Sequence, residues 1–172
     1  MGAPTELLSP AEIAERVERL AGEIAPRVSD DTIAICLLTG GLWFAADLMR
    51  ALYRQGRNLH FDALWIASYG DAKVTSGEVS LRAGLQRPVT GRQVLIIDDV
   101  MESGLSLRES VGLLRVAGAR EVLTTVFARK PYAQPRDPCD FVAWEAPARF
   151  IVGYGMDAAG GYRGLPGVAA LD

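Results

Sequence analysis

The sequence predicts a single α/β domain over residues 1–172, with a central, mainly parallel, twisted sheet flanked by helices. Three observations support this fold class. Strand-like apolar segments alternate with helical patterns from residue 32 to residue 128, and the connections are short. The run 94–97 consists only of apolar β-formers, as in strands that are buried on both faces. With 172 residues, the chain is long enough for one well-filled core.

The first predicted element is a helix that begins after Ser9. Pro10 suits the first helical position, and Glu12, three residues after Ser9, completes a capping box. Apolar residues then recur at helical spacing, which predicts one buried face: Ile13, Val17, Leu20, Ala21 and Ile24.

Residues 32–38 are predicted to form a short strand that ends at the turn Thr39-Gly40-Gly41. An amphipathic helix follows and ends near Gly56, and its apolar face is predicted to carry Phe44, Leu48 and Leu52. A second strand is predicted at about residues 61–68. The polar stretch 69–78 contains two glycines and predicts a mobile loop.

A third strand at residues 94–99 leads into a helix at about 105–117, and a fourth strand is predicted at about 122–128. The sheet-forming core is therefore expected over about residues 30–130. In the last forty residues, prolines separate short strand-like segments: Pro131, Pro135, Pro138, Pro147 and Pro166. This part, mainly 131–172, is predicted to be an irregular cap over the sheet rather than a second domain.

Composition and charge exclude several function classes. The formal net charge of −3 argues against a nucleic-acid surface, and no apolar run is long enough to cross a membrane. The acidic N-terminus differs from a signal peptide, so a cytoplasmic protein is expected. Cys36 and Cys139 lack metal-site spacing and are predicted to be reduced thiols. His60 is the only histidine and is predicted to be structural, which leaves no Ser-His-Asp triad and no Cys–His metal set.

The segment 94–107 carries the strongest chemical signal in the chain. Its apolar strand runs into Asp98 and Asp99, and these are followed by Glu102, the turn Ser103-Gly104 and an amphipathic helix. The N-terminus of such a helix presents free amides and a favourable dipole to a phosphate. The adjacent carboxylates suit ribose hydroxyls or a magnesium ion, which prefers oxygen ligands. A sugar phosphate bound with a metal is therefore the predicted ligand; the alternative is an ordinary buried strand that ends in a solvated acidic turn.

This segment resembles the phosphoribosyl pyrophosphate (PRPP) motif of the type I phosphoribosyltransferases. That motif has four hydrophobic residues, two acids, two variable positions, a further acid, Thr or Ser, Gly, a variable position, and Thr or Ser. Residues 94–106 meet each constrained position, with Glu102 in place of the usual aspartate. Further segments are similar to the hypoxanthine-guanine phosphoribosyltransferases in the same order, over about residues 35–171: 39–48, 67–70, 76–79, 129–131, 144–157 and 162–166.

The resemblance implies a magnesium-dependent purine salvage enzyme that transfers the 5-phosphoribosyl group from PRPP to N9 of hypoxanthine or guanine. It implies that PRPP is bound by Asp98, Asp99, Glu102, Ser103, Gly104, Leu105 and Ser106, with Glu102 as the general acid/base. Pyrophosphate is assigned to Thr39, Gly40 and Arg163, and a closing loop to Ser68 and Tyr69. The purine is expected to lie under a hood formed mainly by 131–172. Its contacts are assigned to Lys130, Phe150, Ile151 and Asp157. The metal is assigned to Asp98, Asp99 and Asp157. Relatives commonly form dimers or tetramers, so a homodimer or homotetramer is expected, and neither nucleic acid nor membrane is expected as a partner of this chain.

Four of these positions have a second interpretation from the residues alone. Phe150 either offers an aromatic face to a base or belongs to the core. Lys130 either donates to purine O6, which would select 6-oxopurines, or is a solvated lysine. Asp157 either meets a metal or caps its own turn. Arg163 either binds pyrophosphate with its planar fork or forms a surface ion pair.

Two positions depart from the family pattern. Thr39 stands where a lysine is common, in a loop whose backbone contacts pyrophosphate and often contains a non-proline cis peptide. Glu102 has one methylene more than the usual aspartate. These departures bear on base preference and catalytic efficiency more than on reaction class. Two alternative functions stay open: a xanthine-preferring relative, and a regulator that binds PRPP or nucleotides without turnover, which the acidic balance and single-domain length disfavour.

Overall fold

Two sheets and three helices make up the part of the chain that the computed structural model describes, residues 4–67, 80–132 and 139–171. The larger sheet has the strand order β4-β3-β2-β5-β6-β7, and the smaller has the order β1-β9-β8. The elements in chain order are β1 Thr5–Leu8, α1 Pro10–Ile24, β2 Ile33–Leu37, α2 Leu42–Arg54, β3 His60–Ala67, β4 Ser80–Ala83, β5 Gln93–Met101, α3 Leu105–Val116, β6 Glu121–Arg129, β7 Phe141–Glu145, β8 Phe150–Val152 and β9 Val168–Leu171.

The large sheet is mainly parallel and covered on both faces, which confirms the predicted fold class. Its strands β3, β2, β5, β6 and β7 are parallel neighbours, and β4 adds an antiparallel edge. Successive side chains of a strand point to opposite faces. Leu95 and Ile97 of β5 therefore pack in the layer that contains α1 and α2, whereas Val94 and Ile96 pack in the layer that contains α3. Burial on both faces explains why the run is continuously apolar.

Helices α1 and α2 follow the local sequence pattern closely. The capping box is present: the Ser9 Oγ accepts a hydrogen bond from the Glu12 amide at 3.3 Å, and Glu12 Oε2 accepts one from the Ser9 amide at 2.8 Å. All residues predicted for the inward faces of the two helices are buried: Ile13, Val17, Leu20, Ala21, Ile24, Phe44, Leu48 and Leu52.

Three features differ from the sequence prediction. The strand β5 continues beyond Asp99 to Met101, because its last residues pair with β6. The strand β7, within the segment predicted as cap, pairs in parallel with β6 at the edge of the large sheet. The strands β1 and β4 were not predicted; β1 pairs with β9 in the small sheet, and β4 pairs with β3 at the edge of the large sheet. These pairings depend on distant partners, so the local pattern does not reveal them.

Other sequence predictions concern the two cysteines, the loop after β3 and membrane spans. Cys36 and Cys139 carry free thiols, and burial raises the pKa of Cys36 to about 12, with the charges of Asp98 and Asp99 adding to the effect. The predicted loop 69–78 lies outside the described residues. Within the described ranges, no helix combines the length and apolar character needed to span a membrane.

Candidate active site

The turn after β2 packs directly against the acid pair in β5. A Cβ on Gly40 would lie 1.9 Å from Asp99 Oδ2, and a Cβ on Gly41 would lie 3.0 Å from the Ile97 carbonyl oxygen. Cys36 of β2 is paired with Ile97 of β5, so the carboxyl ends of the two parallel strands emerge side by side. The peptide between Leu38 and Thr39 is cis. The turn can approach the acids this closely because it carries glycine where a side chain would collide.

The acid pair is in an environment that disfavours two negative charges. Asp98 Oδ1 accepts a hydrogen bond from the Asp99 amide at 3.0 Å, and Asp99 Oδ1 accepts one from the Val100 amide at 2.8 Å. Burial and the neighbouring Asp99 charge raise the pKa of Asp98 well above its ordinary value. Burial also raises the pKa of Asp99, against the opposing effects of the Val100 amide and the positive charge of Arg163. A cation or hydroxyl donors placed here would therefore stabilise the ionised pair.

The N-terminus of α3 forms the next part of the site. Gly104 is buried and precedes α3 with a φ of +71°, a left-handed conformation that glycine adopts without strain. The Ser103 hydroxyl accepts a hydrogen bond from the Leu105 amide at 3.4 Å, and Ser106 lies in the first turn. No acidic residue lies in this first turn. The four residues 103–106 are thus assembled at one helix N-terminus, where backbone amides attract an anion.

A segment from the C-terminal part of the chain reaches the same place. A Cβ on Gly155, whose φ is +99°, would lie 2.1 Å from the Gly40 carbonyl oxygen. Arg163 forms an ion pair with Asp157 at 2.6 Å and donates a second hydrogen bond to the Gly155 carbonyl at 2.6 Å. Asp157 Oδ2 also accepts from the Gly160 amide at 2.7 Å, so both the turn-capping and the ion-pair interpretations are realised.

The three predicted metal ligands do not form one cluster. Over residues 4–67, 80–132 and 139–171, no group of three or more His, Cys, Asp or Glu side chains is arranged to hold a metal ion. Asp98 and Asp99 are adjacent, whereas the Asp157 carboxylate is bonded to Arg163 and Gly160. A metal at this site would therefore need ligands beyond these described carboxylates.

The predicted purine contacts lie where β6 meets the small sheet. Lys130 is buried, and its ammonium donates to the Arg149 carbonyl and, at 3.3 Å, to the Pro147 carbonyl, so the solvated-lysine alternative is wrong. Burial lowers the pKa of Lys130, while the charge of Glu102 acts in the opposite direction. Phe150 is 54% exposed, so the core alternative is also wrong. Ile151 is 5% exposed and belongs to the core, so its side chain is not available to a base in this structure.

Glu102 has a neighbour that sequence analysis did not identify. Its carboxylate is exposed, and Oε1 accepts a hydrogen bond from the Tyr132 hydroxyl at 3.4 Å. Another unidentified contact joins Asp47 of α2 to Tyr154, whose hydroxyl donates to Asp47 Oδ2 at 2.9 Å. The two residues of each pair are far apart in sequence. The only sequence signal for the contact between Glu102 and Tyr132 was that position 132 is close to Lys130.

Four other positions were considered in the sequence: Ser68, Tyr69, Thr39 and His60. Ser68 and Tyr69, assigned to a closing loop, lie outside the described residues. Thr39, in the turn after β2, is exposed. His60 is the first residue of β3 and therefore lies at the amino end of that strand, whereas the acid pair lies towards the carboxyl end of β5. Its placement agrees with the absence of a predicted chemical role.

Comparison with known proteins places this geometry in a family. The phosphoribosyl transferase domain matches residues 5–159. The hypoxanthine-guanine phosphoribosyltransferase of Bacillus subtilis (strain 168) is 38% identical over 167 residues, covering 96% of this chain and 91% of that protein. The enzyme of the same name from Dictyostelium discoideum is 32% identical, covering 93% and 91% of the two chains.

Solved structures agree with the sequence relatives. A hypoxanthine-guanine phosphoribosyltransferase from Bacillus anthracis superposes with a TM-score of 0.87 at 30% identity, covering 97% of this chain and 98% of that one. A Trypanosoma cruzi hypoxanthine phosphoribosyl transferase gives a TM-score of 0.90 at 25% identity, covering 98% and 91%. The chain therefore belongs to the phosphoribosyltransferase family, in the group of the hypoxanthine-guanine phosphoribosyltransferases.

Proposed function

We propose that this protein transfers the 5-phosphoribosyl group from PRPP to N9 of hypoxanthine or guanine, giving IMP or GMP and pyrophosphate. The observation that carries the proposal is the convergence of separate segments at the carboxyl edge of the large sheet. The turn with Gly40 contacts Asp99 and Gly155, and Arg163 lies close enough to Asp99 to affect its pKa. The family relationship supports the same reaction.

PRPP would be bound along this edge by its three chemical parts. The amides and serine hydroxyls of residues 103–106 would hold the 5′-phosphate. Asp98 and Asp99 would accept hydrogen bonds from the ribose hydroxyls. The backbone of Thr39 and Gly40 would contact the pyrophosphate, together with Arg163, whose planar fork suits phosphate oxygens. Because Thr39 carries no charge, Arg163 would provide the positive charge that a lysine commonly provides in the loop of relatives.

In the reaction, the C1′–O bond to pyrophosphate breaks and a C1′–N9 bond forms. Positive charge develops on the sugar as the first bond lengthens, and the Asp98 and Asp99 carboxylates would stabilise it. Glu102 would take up at N7 the proton that the purine releases, as a general base. A closing loop at Ser68 and Tyr69, which remains a prediction, would exclude water that could otherwise hydrolyse the sugar cation.

The acid pair fits a magnesium ion that is shared with the substrate. Magnesium is usually bound by one or two carboxylates together with substrate phosphates, so two adjacent protein ligands are sufficient. Asp98 and Asp99 would hold it, and their raised pKa values indicate that a nearby cation would be favourable. When bound, the ion supplies charge neutralisation to the departing pyrophosphate. Asp157 was also assigned to the metal, but its carboxylate forms an ion pair with Arg163 in this structure. Its role as a further metal ligand therefore stays a prediction.

The purine would lie between Lys130 and Phe150. An ammonium has three donors, and within the described residues two of those on Lys130 go to the Pro147 and Arg149 carbonyls; the third would donate to purine O6. Donation to O6 would favour 6-oxopurines over adenine. The exposed Phe150 offers a stacking face for the base, and a contact from Ile151 stays a prediction.

We also propose a cytoplasmic homodimer or homotetramer. Its support is the family relationship, together with large apolar side chains left exposed on β3 and α2, among them Phe61 and Leu42. Sedimentation of the purified protein would distinguish a monomer from either assembly.

An absorbance assay with PRPP, magnesium and each of hypoxanthine, guanine and xanthine tests the proposed reaction. Nucleotide is expected with the first two bases. Preference for xanthine would replace the proposal with the xanthine alternative, and binding of PRPP without product from any base would indicate a regulator. Glu102→Gln is expected to lower turnover by about 10²- to 10⁴-fold while PRPP binding largely survives. Unchanged turnover would remove Glu102 from the acid/base role.

A further inference from the structure

The longer side chain at position 102 creates a positioning problem that the family's usual aspartate does not have. Glu102 is exposed and follows directly after the last residue of β5. Its extra methylene adds a rotatable bond, so an unrestrained carboxylate would sample more orientations than that of an aspartate. A proton exchanged with a bound base requires a carboxylate held within hydrogen-bond reach. A contact that restrains Glu102 would therefore be useful in this chain in particular.

Tyr132 makes such a contact. Its hydroxyl donates to Glu102 Oε1 at 3.4 Å. The Lys130 amide donates to the Met101 carbonyl at 3.0 Å, and this bond joins the ends of β5 and β6. Glu102 directly follows Met101, and Tyr132 is two residues after Lys130. The large sheet therefore sets the spacing of the backbone segments that carry the two side chains.

The chemistry of the neighbouring groups makes Tyr132 the suitable donor. Burial, followed by the negative charge of Glu102, raises the pKa of Tyr132 above its ordinary value, so the phenol keeps its proton at neutral pH. Among the described residues, Lys130 also lies near enough to Glu102 to feel its charge, but its ammonium is directed to the Pro147 and Arg149 carbonyls. Among these described groups, Tyr132 is the one that reaches the carboxylate directly.

We infer that Tyr132 is a positioning residue, whose hydroxyl holds the Glu102 carboxylate in the orientation that exchanges a proton with the purine. This inference rests on the proposed function. Tyr132 acts through Glu102, so its loss should affect the turnover number and leave PRPP binding intact. Tyr132→Phe removes only the hydroxyl, and since one weak hydrogen bond is lost, kcat is expected to fall about three- to tenfold with the KM for PRPP unchanged.

A double-mutant cycle with Glu102→Asp gives the decisive test. The aspartate is one methylene shorter, which takes the carboxylate away from the Tyr132 hydroxyl. Tyr132→Phe should therefore lower kcat in the wild-type background and have no further effect in the Glu102→Asp background. Tyr53→Phe, the same change at a 67% exposed tyrosine of α2, is the matched control and should leave kcat unchanged. Melting temperatures of all variants report whether the fold is intact.

The outcomes separate this inference from the proposed function. Equal kcat for Tyr132→Phe and wild type, or the same fold-loss in both backgrounds, would overturn the positioning role while the transferase activity stands. A fall in PRPP affinity without a change in kcat would also overturn it. If the wild-type protein forms no nucleotide, or if Glu102→Gln turns over normally, the proposed function or the role of Glu102 fails first and the inference fails with it.

Discussion

Replacing Gly40 with alanine tests the contact on which the proposed site depends. A Cβ at this position would lie 1.9 Å from Asp99 Oδ2 and 2.5 Å from Asp99 Cγ, and Cβ contacts under 3.0 Å essentially never occur. The carboxylate must therefore move by about 1 Å, and a misplacement of that size costs roughly 100-fold in catalysis. The obstructing atoms belong to the end of a side chain, which can rotate, so the fold is expected to survive.

The measurement is kcat/KM for IMP formation at varied PRPP, together with thermal unfolding. Gly40→Ala is expected to lower kcat/KM by about 100-fold with little change in melting temperature. Gly22→Ala is the matched control: it lies in α1, and apart from its chain neighbours and the backbone of its own helix, no described heavy atom lies within 4 Å of the added Cβ. It should stabilise the protein by about 0.5–1 kcal/mol and leave activity unchanged. A Gly40→Ala protein with kcat/KM within a factor of about three of wild type would refute the reasoning from close contact.

Two further substitutions test the acid pair and the base face. Burial and the Asp99 charge raise the pKa of Asp98 in the folded protein. Ionisation of Asp98 therefore opposes folding increasingly as the pH rises above the unfolded-state pKa of about 3.9. Asp98→Asn is therefore expected to be inactive. In urea titrations without magnesium or PRPP, it should be more stable than wild type near pH 7 and equally stable below about pH 4. Lower stability than wild type at pH 7 would contradict this reasoning. Phe150→Ala should raise the KM for hypoxanthine about tenfold or more, because base stacking contributes about 1–3 kcal/mol, whereas Phe150→Tyr should stay near wild type. Identical KM values for all three proteins would show that the ring does not contact the base.

Much of the fold was predictable because its signals are local. The inward face of α1 was predicted residue by residue from helical spacing, and the capping box at Ser9 marked where the helix begins. The acids, the turn and the helix of residues 98–106 are contiguous, so their order alone indicated a phosphate site at the end of a buried strand. Short strands such as β1 and β7 carry no comparable pattern, since each is stabilised by a partner far along the chain.

What the sequence by itself determined was the fold class, the acidic segment at the end of β5 and the chemical types available there. Tertiary structure alone decided which of these groups meet: Gly40 against Asp99, Gly155 against Gly40, Arg163 on Asp157, and Tyr132 beside Glu102. It also decided that Lys130 is buried and Phe150 is exposed, where the residue types had allowed either outcome. The physical reason is that periodicity and capping act over a few residues of one segment, whereas contacts and burial depend on how separate segments pack together.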